Sequence, residues 1–497
     1  MRVINLNSRS VTIELDCITP YYSNEEFSIY LNDKFIRTEN KNVFTIFDLE
    51  PNTEYHLKIK EELAFETKTE DYTLYLHDFN PYADGIHNDT IFLQSAIMAT
   101  PKGGTLIVDS GTYLITSLYL KSNISIYFKK GSKLISNINR REYPIHPGYA
   151  NIGIWEGGEV NNFASALNFI DVSNVTLYGE LEIDGQAEKG DWYINHRVMN
   201  IAWRGHSIFM DRASDINIIG LYVHNTQSWA IHPYMSNNLN FYNIFIKNNP
   251  NMPTTDGIDP DCSCNIEIKG CSFSVGDDCI AIKSGTYDLA LKYKKPSSNI
   301  LIENNLMCDG HGGVVFGSES SGGINNITVR KCLFKSTDRG LRIKTRRGRG
   351  NIGSIDNITF DDIIMENVKT PFVINSYYNM GPKGGHEEYV WTTKALPIDE
   401  YTPILGSFHF SNMKCSNVEI AAGVFLGLPE MPIKEVSFEN VSFSYNTNAL
   451  PQSPCMMEHP YTMKNAGIFC LNVSNLKTLN VVFENVLGEK IIKEWTK

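Results

Sequence analysis

The sequence has no long apolar run, no excess of positive charge and no paired CxxC motifs. Without an apolar run of membrane-spanning length the chain has no predicted membrane partner, and a formal net charge of −12 argues against nucleic acid as a partner. The ten cysteines include several in strand-like segments, where reduced, buried thiols are expected instead of a disulfide framework or a metal cluster. An anionic substrate would therefore need a local reversal of the overall charge.

The first residues, MRVINLNSRSVTIELD, lack the apolar core of a secretory signal because Asn5, Asn7 and Arg9 interrupt them. We therefore expect a cytoplasmic location, or secretion if a leader has been removed.

Residues 1–70 contain short alternating segments such as SVTIELD and EYHLKIKEEL, separated by polar turns. This pattern predicts a small β-sandwich domain. Its run of Leu49, Pro51, Thr53 and Tyr55 resembles the tyrosine corner of fibronectin type III domains, in which a tyrosine hydroxyl bonds back to nearby backbone. We expect a fibronectin-like module over residues 1–70, placed where it walls part of any substrate groove.

From about residue 71 a loose repeat appears, in which a polar residue, often Asn, precedes a β-branched alternation. Its spacing suits about three short strands and their turns per repeat, and it lacks the helical periodicity of a βαβ unit. We therefore predict an all-β fold in which residues 71–497 form a parallel β-helix. The marker residues, expected to stack, are Ile216, Leu239, Ile266, Ile300, Ile327 and Ile358.

The polar residue of the repeat is predicted to occupy the turn between strands. Asn tolerates the left-handed backbone conformation that tight turns require. Several of these residues (Asn123, Asn174, Asn326 and Asn357) also lie in N-x-S/T sequons, which we interpret as turns and not as glycosylation sites. Two long segments without the repeat, 137–165 and 376–403, are predicted to be functional loops on the coil stack.

Four segments carry clusters of polar and charged residues that the repeat itself does not predict: TTDGIDPD (254–261), GDDCIAIKSG (276–285), GHGG (310–313) and DRGLRIKTRRGRG (338–350). The steps from one to the next are each close to one coil, so Asp256, Asp278, His311 and Arg342 should form one column about 15 Å long at 4.8 Å per coil. Each Asp alone is typical of a turn. Their gathering beside a His and two cations predicts the floor of an active groove.

Three aspartates brought together repel one another, so at least one should have a raised pKa and hold a proton near neutral pH. Glycoside hydrolysis needs such an acid, together with an opposed carboxylate that activates water. Asp277 and Asp278 are adjacent, and in a regular strand they would face opposite sides. Both reach the groove only if Gly276 begins a turn or bulge.

In order and in coil register, the four segments resemble the NTD, GDD, GHG and RIK motifs of the polygalacturonases of glycoside hydrolase family 28, over residues 76–445. The resemblance implies a right-handed, single-stranded parallel β-helix. It implies that Asp277 is the general acid and that Asp256 and Asp278 hold the attacking water, with His311 hydrogen-bonded near the acid. Thr254 stands where the family usually has Asn.

The resemblance also implies that Arg342 and Lys344 bind the carboxylate of a uronic acid, and that Tyr378 contacts the substrate, whereas no metal or cofactor is implied. The six basic residues of 339–349 are predicted to form a local anion site. Trp229, His232 and the GSESSGG turn (317–323) are candidates for further sugar contacts, with a core aromatic and a plain turn as the alternative interpretations.

Together these features predict an inverting hydrolase of α-1,4-galacturonan, acting on oligogalacturonide or pectic polysaccharide from a chain end. The alternatives are an endo-polygalacturonase, a rhamnogalacturonan or xylogalacturonan hydrolase, a calcium-dependent pectate lyase, and a carbohydrate-binding β-helix without catalysis.

Overall fold

In the computed structural model of the protein, which describes residues 1–380 and 385–496, the repeated apolar residues stack in register. Ile216 pairs with Leu239, Leu239 with Ile266, and the series continues through Ile300 and Ile327 to Ile358. All six side chains are buried, and full burial of such a side chain contributes roughly 1.5–3 kcal/mol. The predicted parallel β-helix is confirmed, and it is right-handed.

The polar residue of each repeat lies in the turn that the sequence predicts. Asn265, Asn299 and Asn326 have φ values of 57°, 56° and 56°, and their side chains form a ladder with N–O distances of 3.1 and 3.2 Å. Each rung uses one amide to donate to the coil before it, so the ladder satisfies polar groups on the outside of the stack.

One face of the helix, here called the groove sheet, is built from short parallel strands. It is interrupted between Tyr234 and Asp278, where residues 258–261 are joined to both neighbouring coils only by isolated bridges at Ile258 and Asp261. The strands of the groove sheet are Leu118–Tyr119, Leu167–Ile170, Ile208–Asp211, Ile231–Tyr234, Asp278–Ile282, Gly312–Gly317, Arg339–Lys344, Thr370–Asn375, Ala421–Leu426, Ala466–Leu471 and Ile491–Glu494.

The other two faces form one continuous sheet. Within the described residues it has 23 strands, which are Thr73–Tyr75, Asp84–Asn88, Thr105–Val108, Gly111–Ile115, Ile124–Phe128, Ser132–Ser136, Ser173–Gly179, Glu182–Asp184, Ser214–Ile219, Tyr222–His224, Asn237–Tyr242, Phe245–Lys247, Cys264–Lys269, Ser272–Val275, Ser297–Glu303, Leu306–Asp309, Ile324–Arg330, Leu333–Lys335, Ser354–Glu366, Ile404–Leu405, Ser407–Val418, Ile433–Tyr445 and Val473–Glu484.

Helices are short, and Thr90–Ala99 packs on the main core through Leu93, Ala96 and Ile97. The helices are Leu76–Phe79, Arg140–Glu142 and Gly148–Ala150, which are 3-10 helices, and Thr90–Ala99, Tyr287–Tyr293 and Glu388–Trp391, which are α-helices. Among the described residues no helix has both the length and the apolar character needed to cross a membrane.

The N-terminal module consists of two small antiparallel sheets. One contains Arg2–Leu6, Val11–Glu14 and Val43–Ile46, and the other Tyr22–Leu31, Lys34–Lys41, Glu54–Lys58 and Glu62–Glu66. The hydroxyl of Tyr55 accepts a hydrogen bond from the backbone N–H of Glu50 at 2.9 Å, the kind of contact expected of a tyrosine corner.

The module packs against the large sheet and not beside the groove. Phe47 and Ile4 contact an aromatic patch that includes Tyr127 and Tyr178, and Tyr178 shares a 2.9 Å hydrogen bond with Ser8. These residues belong to strands on a different face from the groove sheet. The expectation that the module walls the groove is therefore wrong.

Candidate active site

The three aspartates predicted to gather do so at the interruption of the groove sheet. Asp256 precedes the irregular segment 258–261, Asp277 lies in a bend, and Asp278 begins the strand Asp278–Ile282. At Gly276 a Cβ atom would lie 2.2 Å from the carbonyl oxygen of Met252, so glycine is needed for the bend. The turn at Gly276 is thus confirmed, and one carboxylate oxygen from each aspartate lies within 4.8 Å of the others.

Asp278 is fully buried and paired with two cations. Its Oδ2 accepts a hydrogen bond from Lys344 Nζ at 2.7 Å, and its Oδ1 lies 3.3 Å from Arg342 Nη1. Burial by itself raises the pKa of Asp278, but the two cations outweigh it and lower that pKa below its ordinary value. Asp278 is therefore held as a carboxylate, and a metal ion at this cluster would have to compete with Lys344 and Arg342.

Asp256 has the opposite electrostatic environment. It is 3% exposed, and burial, together with the nearby carboxyls of Asp259 and Asp277, raises its pKa well above the ordinary value. Asp259 behind it is also buried, which raises its pKa to about 8. The predicted raised pKa is thus found at Asp256, to which the family resemblance assigns the holding of the attacking water.

Asp277 is half-buried and is held by the residue that departs from the family pattern. The backbone N–H of Thr254 donates to Asp277 Oδ2 at 3.0 Å. Thr254 has a φ of 59°, a conformation unfavourable for a β-branched residue. Its Oγ1 accepts a 2.9 Å hydrogen bond from the buried Arg204, so Arg204 helps to fix the loop that orients Asp277.

His311 lines the same cavity, but its side chain makes a different hydrogen bond from the one expected. Its Nδ1 pairs with Asp338 at 2.9 Å, whereas the link to Asp277 runs from the His311 backbone N–H to the Asp277 carbonyl oxygen at 2.8 Å. The hydrogen bond that His311 donates to Asp338 raises the pKa of His311. A cationic His311 can therefore face the cavity near Asp277.

The aspartates open into a cavity of about 180 Å³ with a basic wall. Arg342 and Lys344 line this wall, and Lys344 Nζ lies 5.9 Å from the centre of the Tyr378 ring. The expected grouping of Arg342, Lys344 and Tyr378 is therefore observed. The lining residues are Glu156, Arg197, Trp229, Pro253, Thr254, Asp256, Asp277, Lys283, His311, Ser318, Glu319, Arg342, Lys344, Tyr378, Met380 and Met456.

Three other arginines of the basic segment bind loops instead of forming the predicted anion site. Arg347 is buried against Glu430, with a 2.6 Å contact, and Arg339 donates to the carbonyl oxygen of Pro454 at 3.0 Å. Arg346 donates to the carbonyl oxygen of Met380 at 2.8 Å. These guanidiniums tie loops to the coil stack, because a loop's carbonyl oxygens need donors once they are buried.

Lys283 and Glu319 belong to quoted motifs but received no firm role from the sequence. Lys283 Nζ lies 3.4 Å from Asp259 and 3.7 Å from Glu319, and 4.4 Å from the centre of the Trp229 ring. Burial opposes the ionisation of Glu319, but Lys283 and Arg349 outweigh it and lower its pKa to about 2. Trp229 and Glu319 line the cavity, whereas His232 is fully buried and does not.

A loop that covers the groove sheet on one side of the cavity supplies Glu156. We call residues 137–165 the first crossing loop. It precedes a groove-sheet strand, whereas the helix Tyr287–Tyr293 follows one, so in a parallel sheet they lie at opposite edges. Nevertheless Glu159 contacts Lys292 at 2.8 Å, and the Gly157 carbonyl oxygen accepts from Thr286 Oγ1 at 2.8 Å. The loop therefore spans the sheet.

The first crossing loop packs directly on the groove sheet. Ile154 is buried against Phe209 and Tyr234, and the Trp155 ring stacks on Trp229 with centroids 5.7 Å apart. The floor of the groove is consequently covered on the N-terminal side of the aspartates. Sequence alone predicted a functional loop here but not its path. In the second predicted loop, 376–403, residues 381–384 lie outside the described residues.

Comparisons with known proteins give one consistent family. Residues 150–419 match the sequence profile of Glycosyl hydrolases family 28. A probable polygalacturonase of Vitis vinifera is 27% identical over 375 residues, which cover 74% of this chain and 73% of that one. An endo-polygalacturonase of Pectobacterium carotovorum subsp. carotovorum is 27% identical over 58% of this chain and 72% of its own length.

Solved structures show the same architecture. A hyperthermoactive exopolygalacturonase from Thermotoga maritima superposes with a TM-score of 0.66 at 25% identity, over 79% of this chain and 94% of that one. The family 28 exopolygalacturonase of Yersinia enterocolitica has a TM-score of 0.72 at 17% identity, over 99% and 97% of the two chains. The latter similarity concerns the fold alone.

Proposed function

Because the chain belongs to glycosyl hydrolases family 28 and is a polygalacturonase-type glycoside hydrolase, we propose that it hydrolyses α-1,4-galacturonosyl linkages of oligogalacturonates from a chain end and with inversion. The observation that carries the proposal is the cluster of Asp256, Asp277 and Asp278 directly beside Arg342 and Lys344. It combines acid–base groups with the cations that a uronate requires.

In the proposed reaction Asp277 donates its proton to the glycosidic oxygen as the bond to the anomeric carbon breaks. Asp277 is the aspartate that is not fully buried, and it lines the cavity, so it can reach the leaving oxygen. Asp278, kept ionised by Lys344 and Arg342, takes the proton of the attacking water. Asp256 orients that water. One water is consumed, and the Asp277 proton is replaced by the one that Asp278 received.

The spacing of the carboxylates bears on inversion. Inverting glycosidases generally separate their two carboxyl groups by about 6.5–9.5 Å, whereas here one oxygen of each aspartate lies within 4.8 Å of the others. A single water between Asp256 and Asp278 can hydrogen-bond to both, since such bonds are about 2.7–2.8 Å long. In this proposal the sugar lies so that the water held by Asp256 and Asp278 attacks the anomeric carbon on the face opposite the oxygen that Asp277 protonates. Inversion is supported by the family resemblance and not by the carboxyl separation.

Action at a chain end is supported by the first crossing loop. A polymer lying along the groove would continue beyond the aspartates over the coil of Trp229, where Trp155 is stacked. The loop therefore leaves room for a terminal sugar between the aspartates and Glu156, but not for a continuing chain. The similarity to the exopolygalacturonase of Thermotoga maritima agrees with this proposal.

Arg342 and Lys344 are proposed to bind the carboxylate of a galacturonate at the cleavage site. Asp278 partly offsets their two positive charges in the free enzyme. The remaining positive charge is available to bind the substrate carboxylate. An Arg pairs with a carboxylate through two parallel hydrogen bonds, which favours a uronate over a neutral sugar.

The test compares wild type and Asp277→Asn on defined oligogalacturonates, with products followed by NMR and ultraviolet absorbance. The proposal expects saturated products, an inverted anomeric configuration at first release, and near-complete loss of turnover in Asp277→Asn. An unsaturated, ultraviolet-absorbing product would instead identify a lyase, and binding without turnover by wild type would identify a carbohydrate-binding protein. Polygalacturonate that loses viscosity much faster than it releases reducing ends would refute action at a chain end.

A further inference from the structure

The groove is bridged a second time, on the C-terminal side of the aspartates. We call residues 446–465 the second crossing loop. It precedes the groove-sheet strand Ala466–Leu471, whereas loop 376–403 follows the strand Thr370–Asn375, so the two loops start from opposite edges of the parallel sheet. Contact between them therefore has to pass over the groove.

Between their described residues, three side-chain contacts join these loops. Glu458 of the second crossing loop hydrogen-bonds to His386 and accepts from Asn379 Nδ2, the latter at 3.2 Å. Next to them the rings of Trp391 and His459 meet edge to face, with centroids 5.2 Å apart. We call these contacts of Glu458 and His459 with Asn379, His386 and Trp391 the cross-tie. Its residues come from loops at both edges of the sheet.

Below the cross-tie, the second crossing loop covers an apolar part of the groove sheet. Val373, Val424 and Phe469 face outward from successive strands and pack against Cys455 and Met457 of the loop. A sugar chain has no polar floor to bind there. At the edge of the cavity, Met456 contacts Arg342, with Sδ 3.2 Å from Nη2. Met380 and Tyr378 complete this wall.

Among the described residues, the groove floor is left open over a short stretch between the two crossings. It consists of the coils that carry Asp256, Asp278, His311 and Arg342. Four coils at about 4.8 Å per step give a floor of roughly 14 Å. This length suits a short oligosaccharide and not an extended polymer.

We propose that the two crossings restrict the enzyme to short oligogalacturonides, chiefly di- and trigalacturonate, and that the second crossing is the element that discriminates against longer chains. This inference rests on the proposed function. The reaction that supplies the substrate must then be a depolymerisation of galacturonan by an endo-acting hydrolase or lyase, and the final product is monogalacturonate, since a disaccharide has one linkage.

The experiment measures kcat/KM on galacturonate oligomers of increasing length and on polygalacturonate. Wild type is expected to lose at least about tenfold in kcat/KM per chain end between trimer and polymer, equivalent to about 1.4 kcal/mol of transition-state binding. Glu458→Ala, which breaks the cross-tie, and Met456→Ala, which lowers the wall, should each narrow that difference. Gln452→Ala is the matched control, because Gln452 bonds to Glu419 and does not line the cavity.

Equal kcat/KM on trimer and polymer by wild type would overturn the inference. A preference for the trimer that is unchanged in both Glu458→Ala and Met456→Ala would overturn the role of the second crossing. Absence of turnover on the trimer would instead contradict the proposed function, so the two failures are distinguishable. Far-ultraviolet circular dichroism and thermal unfolding of each variant identify any loss of folding.

Discussion

Replacing Lys344 with methionine should move the acid limb of the activity profile to higher pH. Lys344 Nζ donates to the buried Asp278 at 2.7 Å and, with Arg342, keeps the pKa of this carboxyl below its ordinary value against the effect of burial. In the proposed mechanism Asp278 must be ionised, so activity falls as pH drops through its pKa. Methionine preserves much of the volume of lysine but removes its charge and its donor.

The size of the shift follows from the lost hydrogen bond. A hydrogen bond to a charged group contributes about 1.5–3 kcal/mol, and about 1.4 kcal/mol corresponds to one pKa unit. Arg342 still lies 3.3 Å from Asp278, which favours the lower part of the range. We therefore expect the pKa that governs the acid limb to rise by roughly one to one and a half units.

The assay is the pH dependence of kcat/KM on trigalacturonate, because this parameter reports the ionising groups of the free enzyme. Lys344→Met should also raise KM if Lys344 binds a substrate carboxylate. A defect in substrate binding alone, however, leaves the pH of the acid limb unchanged. Lys335→Met is the control, since Lys335 pairs with Glu366 at 3.2 Å and does not line the cavity. An acid limb that stays at the wild-type pH in Lys344→Met would refute the role given to Asp278.

Three further predictions concern neighbouring residues. Asp256→Asn should retain more activity than Asp278→Asn in steady-state assays, because burial and the neighbouring carboxyls raise the pKa of Asp256 and favour its neutral form, which an amide resembles, whereas Lys344 and Arg342 lower the pKa of Asp278. Thr254→Asn should keep activity, and its free energy of unfolding, measured by thermal unfolding, should rise by up to about 1 kcal/mol, since Asn tolerates positive φ. The Asn side-chain oxygen can still accept the hydrogen bond from Arg204. Thr254→Val, which removes that acceptor, should lose activity. Phe372→Ala should cost about 3–5 kcal/mol in urea unfolding, because Phe372 is fully buried, with its ring centroid 4.3 Å from that of Phe410.

Local sequence patterns were sufficient for the repetitive part of the fold. The apolar markers such as Ile266 and Ile300 stack as expected, because each coil contacts mainly its neighbours and one repeat fixes the register of the next. The asparagines were interpretable as turns for the same reason, since the left-handed backbone is a property of single residues. The bend at Gly276 was expected from the adjacent Asp277 and Asp278, although the close approach to Met252 that requires glycine there is a tertiary contact.

The sequence by itself determined the β-helix, the coil positions of the three aspartates, and the neighbouring Arg342 and Lys344, since all of these follow from spacing along a regular stack. Only the tertiary structure decided that Arg347 and Arg339 tie loops down instead of forming an anion site, that Asp256 carries the raised pKa, and that two loops cross the groove. The physical reason is that loop paths and pKa values depend on contacts between residues distant in sequence, such as Glu458 with His386. No local pattern encodes these contacts.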